Sequence, residues 1–311
     1  MQSSIQGRVG WVVFTALLVA VFVVVLLAAP VLKLFSTDPP VTAAQLGWLA
    51  DIGLVTAGVL VAGKAINGRW SGVFIDSRNR YSLSQVQAVM WVVLVSSGVV
   101  ATAVSNVANA QPAPLDLSIP PELLAVMGLS ITTFVGTPLI RSAKRDRTPE
   151  PNQAARTLEG LGMDTTRVGN QVVGSGGVPP ATTAPSASDA PMASAAPAAS
   201  AAPAPAFTAT TEGTVVTYSS PGATGWADLL RGDETGNADK IDLGKLQLMY
   251  ITAVAVVVYG IELFAALGGV QGGGTAAHLA FPTLDPSFVG ILALSHGGAL
   301  ASQAAPHAMT V

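Results

Sequence analysis

The chain contains no cysteine. This excludes disulfides, thiolate metal sites and cysteine nucleophiles, and it leaves the redox compartment open. Charge is also scarce: Asp, Glu, Lys and Arg make up 11% of the 311 residues, against about 25% in an ordinary soluble domain. With 50% hydrophobic residues and a mean hydropathy of +0.54, a shortage of that size means that much of the chain meets no water. Catalytic signatures are missing too. There is no HExxH, no GxSxG, no paired zinc ligands and no kinase motif. Gly174-Ser175-Gly176-Gly177 lacks the Lys-Ser/Thr ending of a phosphate loop. The acidic residues Asp233, Glu234, Asp239 and Asp242 lack EF-hand spacing and read as a solvated face beside the membrane. No enzyme activity, cofactor or metal is expected.

What is present is a series of long apolar runs. A membrane span needs about 20 mostly apolar residues to cross a hydrocarbon core about 30 Å thick. Residues 11–34, 46–66, 86–107, 122–140 and 246–267 meet that length. The run at 11–34 exceeds a signal-peptide core and is read as a retained first span. A sixth segment, 287–304, is shorter and carries His296, Gly297 and Gly298; its apolar residues favour a span over a re-entrant loop. Basic residues then set orientation, since Lys and Arg mark the cytoplasmic side. Lys64, Arg69, Arg78 and Arg80 follow the second run, and Arg141, Lys144, Arg145 and Arg147 follow the fourth. With both termini inside, only Lys33 of the 15 basic residues falls on the outer side. The expected fold is therefore an all-α integral membrane protein of about six spans, N-terminus and C-terminus cytoplasmic. The basic cluster 141–147 reads as an anchor touching anionic lipid, with no nucleic-acid role.

Between the fourth and fifth runs lies a cytoplasmic insert. Residues 179–206 are almost entirely Ala, Pro, Ser and Thr, with Asp189 the only charge. Such composition cannot bury enough apolar surface to offset ordering entropy, so 174–211 is expected to be largely disordered. Thr214, Val215, Val216 and Thr217 form a short strand-like run, and Trp226 with Leu229 and Leu230 suits the membrane surface. The organisation read from the chain is an N-terminal two-span segment at 1–70, a first hairpin at 71–140, the insert at 141–240 and a second hairpin at 241–311.

The two hairpins resemble each other. Leu83–Met90 aligns with Leu243–Tyr250 at an offset of 160, pairing Gln87 with Gln247, and the following spans align at an offset of 165, pairing Ser130 with Ser295. Both copies start on the cytoplasmic side, which predicts parallel repeats about a pseudo-two-fold axis along the membrane normal. Ser82 with Gln85 has capping-box spacing at the start of one hairpin. Asp242 holds the equivalent place before the other, where a carboxylate suits the helix dipole. Both are read first as structural.

Ionisable residues inside spans default to functional candidates. Here they are Asp51, Glu262 and His296. Two carboxylates at similar depth and a deeper histidine suit an ion or proton path; satisfied structural roles are the plainer alternative. Leu83 with Gln87, Leu243 with Gln247, and Ser295-His296-Gly297-Gly298 resemble uncharacterised bacterial multi-pass membrane proteins. In those, hairpins open on Leu-x-x-x-Gln and the last span ends in a Ser-His-Gly/Ala-Gly-like sequence. The resemblance covers the two hairpins, implies a bacterial cytoplasmic membrane, and brings no known activity. The leading functional expectation is a membrane anchor or adaptor whose residues 141–245 recruit a soluble cytoplasmic protein; a homo-oligomer is compatible with it. A small ion or proton channel is the alternative, and an intramembrane enzyme the remotest, because Ser295 and His296 are helix neighbours pointing about 100° apart.

Overall fold

The computed structural model describes residues 42–168, 171–176, 207–268 and 280–310; the run at 11–34 lies outside them. Among the described residues six α-helices are seen: α1 Ala43–Asn67, α2 Leu83–Ala108, α3 Pro121–Arg145, α4 Pro151–Gly160, α5 Leu243–Gly268 and α6 Pro286–Ala304. Of these, α1, α2, α3 and α5 are long and apolar enough to cross a membrane. At 19 residues, α6 is about 28 Å long at the usual helical rise.

Helices α2, α3, α6 and α5 form a ring, each packed on the next, with α1 outside against α2 and α5. Small and apolar residues on one stripe of each helix make the core. Trp91 and Leu94 of α2, Leu123 and Val126 of α3, Tyr259 and Leu263 of α5, and Leu292 of α6 are all buried. Gly98 permits the close approach of α2 to α5, because a Cβ there would lie 2.8 Å from a Leu263 methyl and 3.1 Å from the Phe281 ring. The ring order corrects the expected symmetry. A two-fold along the bundle axis puts equivalent helices on diagonals, yet α2 lies beside α5 and α3 beside α6. The two hairpins stack face to face, one displaced sideways from the other. Their burial also departs from the sequence alignment: Gln87 is buried while Gln247 is exposed. Ser130 and Ser295 are both buried.

The insert overturns the all-α expectation. Strands β1 Asp164–Val168, β2 Gln171–Gly176, β3 Phe207–Glu212 and β4 Val215–Tyr218 form an antiparallel sheet in the order β1-β2-β3-β4. Residues 174–176 and 207–209, expected to be disordered, pair in register, with Gly174 opposite Ala209 and Gly176 opposite Phe207, and Thr210 and Thr211 continue onto β4. The ladder forms because α4 covers one face of the sheet. Ala154 and Leu158 of α4 pack with Met163, Val172, Ala209, Val216 and Tyr218 in a small second core. The acidic N-cap Glu150 starts α4, accepting from the backbone N–H groups of Asn152 and Gln153. The β3–β4 turn needs Gly213. Its φ is +60°, and a Cβ would press into the carbonyl of Arg145 at the end of α3. The turn tip is thus set directly on a long helix.

Helix starts differ from the expected caps. Ser82 precedes α2 without capping it; its hydroxyl pairs with that of Ser84 at 2.9 Å. Gln85 does not complete a capping box, and its Oε1 is buried without a partner among the described residues. A capping box does form at α1, where Thr42 and Gln45 satisfy each other's backbone N–H groups. Asp242 Oδ1 accepts from the Lys245 N–H at 3.2 Å at the start of α5.

Candidate functional site

The densest chemistry lies where the sheet module meets the helix ends. Helix α1 ends at Gly68 in the left-handed conformation, and a short 3-10 turn leads into a tight loop closed by the Ile75–Tyr81 bridge. Within it Asp76 accepts from the Arg78 backbone N–H at 3.0 Å, while the Arg78 carbonyl accepts from the Tyr218 N–H at 2.9 Å. The loop therefore continues the end of β4. Along the other flank of β4 runs the segment before α5. The Val216 N–H donates to the Asp233 carbonyl at 3.0 Å and the Thr235 N–H to the Thr214 carbonyl at 2.9 Å.

These two scaffolds and the end of α3 converge on a closed ring of charge. Arg78 meets Asp76 at 2.7 Å and Asp233 at 2.9 Å. Arg141 meets the same two carboxylates at 2.8 and 3.0 Å. Lys245, in the first turn of α5, adds a contact to Asp233 at 2.8 Å and donates to the Arg231 carbonyl at 2.7 Å. Three cations thus enclose two carboxylates. Burial by itself would raise the Asp233 carboxyl; Arg141, Arg78, Lys245 and Arg80 outweigh it and hold the group well below the usual carboxylate range. Asp76 is lowered in the same way, with burial opposed by Arg78 and Arg141.

Two satellite pairs extend the ring. Arg80 meets Asp228 at 3.1 Å, donates to the Gly232 carbonyl at 3.0 Å and lies over the Tyr218 ring. Lys144 pairs with Glu234, which also takes His307 at 3.1 Å. Lys144 donates further to the carbonyls of Gln303 and Ala305, so the chain after α6 is strapped across the end of α3. Met309 continues the strap, exchanging backbone and side-chain bonds with Glu150 and Gln153.

This arrangement corrects two readings. Asp233 and Glu234 are buried rather than solvated, and Arg141 and Lys144 are buried in ion pairs rather than spread on lipid. Arg145 stays partly exposed and pairs with Glu212; Arg147 is exposed. Trp226 opens a 3-10 turn and is 61% exposed while stacked on Tyr81.

The three intramembrane candidates do not converge. Asp51, on α1, is fully buried with neither carboxylate oxygen partnered among the described residues. Glu262 is exposed on α5. His296 is buried on α6, its Nδ1 2.6 Å from the Thr133 hydroxyl of α3. Ser295, next to it in sequence, is also buried, with no hydrogen-bond partner for its hydroxyl among the described residues. Gln87 donates to the Thr252 hydroxyl at 2.8 Å, joining α2 to α5. Sequence reasoning missed Asp76 entirely. Its one signal, an Asp two residues before Arg78 in a short loop, is too common to single out. Comparison with known family models, curated proteins and solved structures finds no match to this chain.

Proposed function

We propose that the chain is a polytopic membrane scaffold. It holds a small folded module against the cytoplasmic membrane face and presents residues 177–206, which leave that module between β2 and β3, to a soluble protein. The observation that carries this reading is the ring of Arg78, Arg141, Asp76 and Asp233. Buried ion pairs add little net stability over apolar packing, but they demand one geometry. A ring drawing on the α1–α2 loop, α3 and the segment before α5 fixes where the module sits. The Ala/Pro-rich insertion is then anchored at both ends to a base held in one position, which limits the cost of presenting it to a partner.

The cytoplasmic placement rests on the distribution of basic residues. The rule acts while the chain inserts, before Arg78, Arg141 and Lys144 find their tertiary partners. Exposed Lys64, Arg147, Arg156 and Arg167 lie at the same end of the helices. Crosslinking from single photoreactive positions within 177–206 in native membranes tests the proposal. A reproducible soluble partner, lost when 177–206 is removed, supports it; an unchanged set of crosslinks after removal rejects it. An ion or proton channel receives less support, because Glu262 faces away from the bundle interior that holds Asp51 and His296.

A further inference from the structure

The seam between α3 and α6 is divided. Toward the end away from the module, Leu123 and Val126 of α3 and Leu292 of α6 are buried and apolar. Toward the module the same stripes turn polar: Ser130, Thr133 and Thr137 on α3, and Ser295 and His296 on α6, all buried. The hydroxyls of Ser130, Thr137 and Ser295 and the Nε2 of His296 have no hydrogen-bond partner among the described residues. Arg141 lies one turn from Thr137 on the same stripe. Just beyond it, at the module end of α3, is a small crevice whose lining includes Arg141, Lys144, Asp233, Glu234, Gln303 and His307, and Gln303 Oε1 is buried with no hydrogen-bond partner among the described residues. From Arg141 to Ser130 is about three helical turns, or roughly 16 Å.

Thr133 satisfies one side of the His296 ring. Its hydroxyl lies 3.1 Å from the Leu129 carbonyl and 2.6 Å from Nδ1, and which of the two atoms donates in the second contact depends on the tautomer. In either tautomer Nδ1 is paired. Nε2 is left buried without a partner among the described residues. An unmet polar atom inside a membrane costs several kcal/mol; four such atoms on one seam call for an occupant. The apolar surroundings on the far side leave the module-side crevice as the way in.

We propose that the module-side half of the α3–α6 seam is a blind hydrated site. Water enters from the crevice at Arg141 and Gln303, bridges Thr137, Ser130 and Ser295, and hydrogen-bonds His296 Nε2. The site gives that imidazole proton exchange with one side of the membrane only. In the exchange, a proton passes along the waters between the module-side solution and the imidazole at Nε2 and back by the same route; no bond to carbon changes. The charged or titratable groups on the packed helices are Glu122, Arg141, Lys144 and Arg145 on α3, and Lys245, Tyr250, Tyr259 and Glu262 on α5. None bonds the ring among the described residues, so water is its route for proton exchange. This inference does not depend on the scaffold reading.

The absence of cysteine allows a direct test on the full chain in sealed vesicles of either orientation. Single variants Thr137→Cys, Ser130→Cys and Ser295→Cys are exposed to silver ions on one side, then unfolded and labelled with a maleimide. Loss of labelling is expected at all three when silver is on the module side. None is expected at Val126→Cys or Leu292→Cys, which are equally buried in the far half. Full labelling at all five positions, or equal loss in both halves, overturns the proposal. The unsubstituted protein gives an independent check. In nanodiscs, the 15N-labelled ring of His296, assigned by its disappearance in His296→Gln, should show magnetisation exchange with water. A ring without water exchange overturns the hydrated site even if a cysteine variant misfolds.

Discussion

At the scale of single residues, Asp233 carries the junction. It contacts Arg78, Arg141 and Lys245, so Asp233→Asn leaves Arg78 and Arg141 sharing Asp76 alone and takes the charged partner from Lys245. Removing one partner of a buried ion pair typically costs about 3–5 kcal/mol. We expect a clear fall in the thermal midpoint of the purified protein in detergent. The effect on the module should exceed that on the helices, read as lost β signal before lost helical signal in circular dichroism. Gly213 is the second sensitive residue. Gly213→Ala meets both a positive φ and the Arg145 carbonyl, and a strained backbone of this kind costs roughly 1–3 kcal/mol. The expected readout is faster proteolysis at the module with the helical bundle intact.

At the scale of elements, the ionic ring ties the α1–α2 loop, α3 and the start of α5 together, and its pH dependence has a definite sign. Asp76 and Asp233 titrate below the ordinary aspartate value of 3.8 in the folded state. A depressed carboxylate contributes stability that is fully present above its unfolded pKa and is lost as pH falls through the folded one. The junction should therefore hold from neutral pH down to about 4 and loosen below that. The Trp226–Tyr81 stack sits at this junction, so near-ultraviolet dichroism followed during acidification should lose its aromatic signal below that point while the helical signal persists. A flat aromatic signal down to strong acid would show that the ring does not hold the elements together.

At the scale of the whole molecule, two bodies with different cores share one junction: an apolar helical bundle and a small helix-on-sheet module. Gly176 and Phe207 are paired directly across β2 and β3, so the 177–206 segment is an excursion from a hairpin that is already closed. Replacing the 30 residues 177–206 with a short Gly/Asn turn should raise thermal stability modestly, because cutting the connection to a few residues lowers its closure cost by about 2 kcal/mol. Under the scaffold reading the same variant loses its soluble partner. The comparison separates folding from recruitment in one protein.

The four long helices were legible because lipid demands a local property, a run of apolar residues of sufficient length, and local properties are written in order along the chain. The apolar runs at 46–66, 86–107, 122–140 and 246–267 fall within α1, α2, α3 and α5. The sheet was not legible in the same way. Its β2–β3 ladder joins residues separated by the Ala/Pro-rich segment, and β1 is largely exposed, leaving little hydrophobic alternation to read. The ionic ring was less legible still. Arg141 read as a lipid-touching anchor and Asp233 as part of a solvated face, and only tertiary packing brings them within 3.0 Å. Burial of His296 and exposure of Glu262 were likewise decided by helix rotation, since both sit in apolar runs and one helical face differs from the next only by what packs against it. Composition and order along the chain determined that this protein carries several helices suited to a membrane. The tertiary structure decided which of its few charges lie inside, because burial and pairing belong to contacts and not to sequence neighbours.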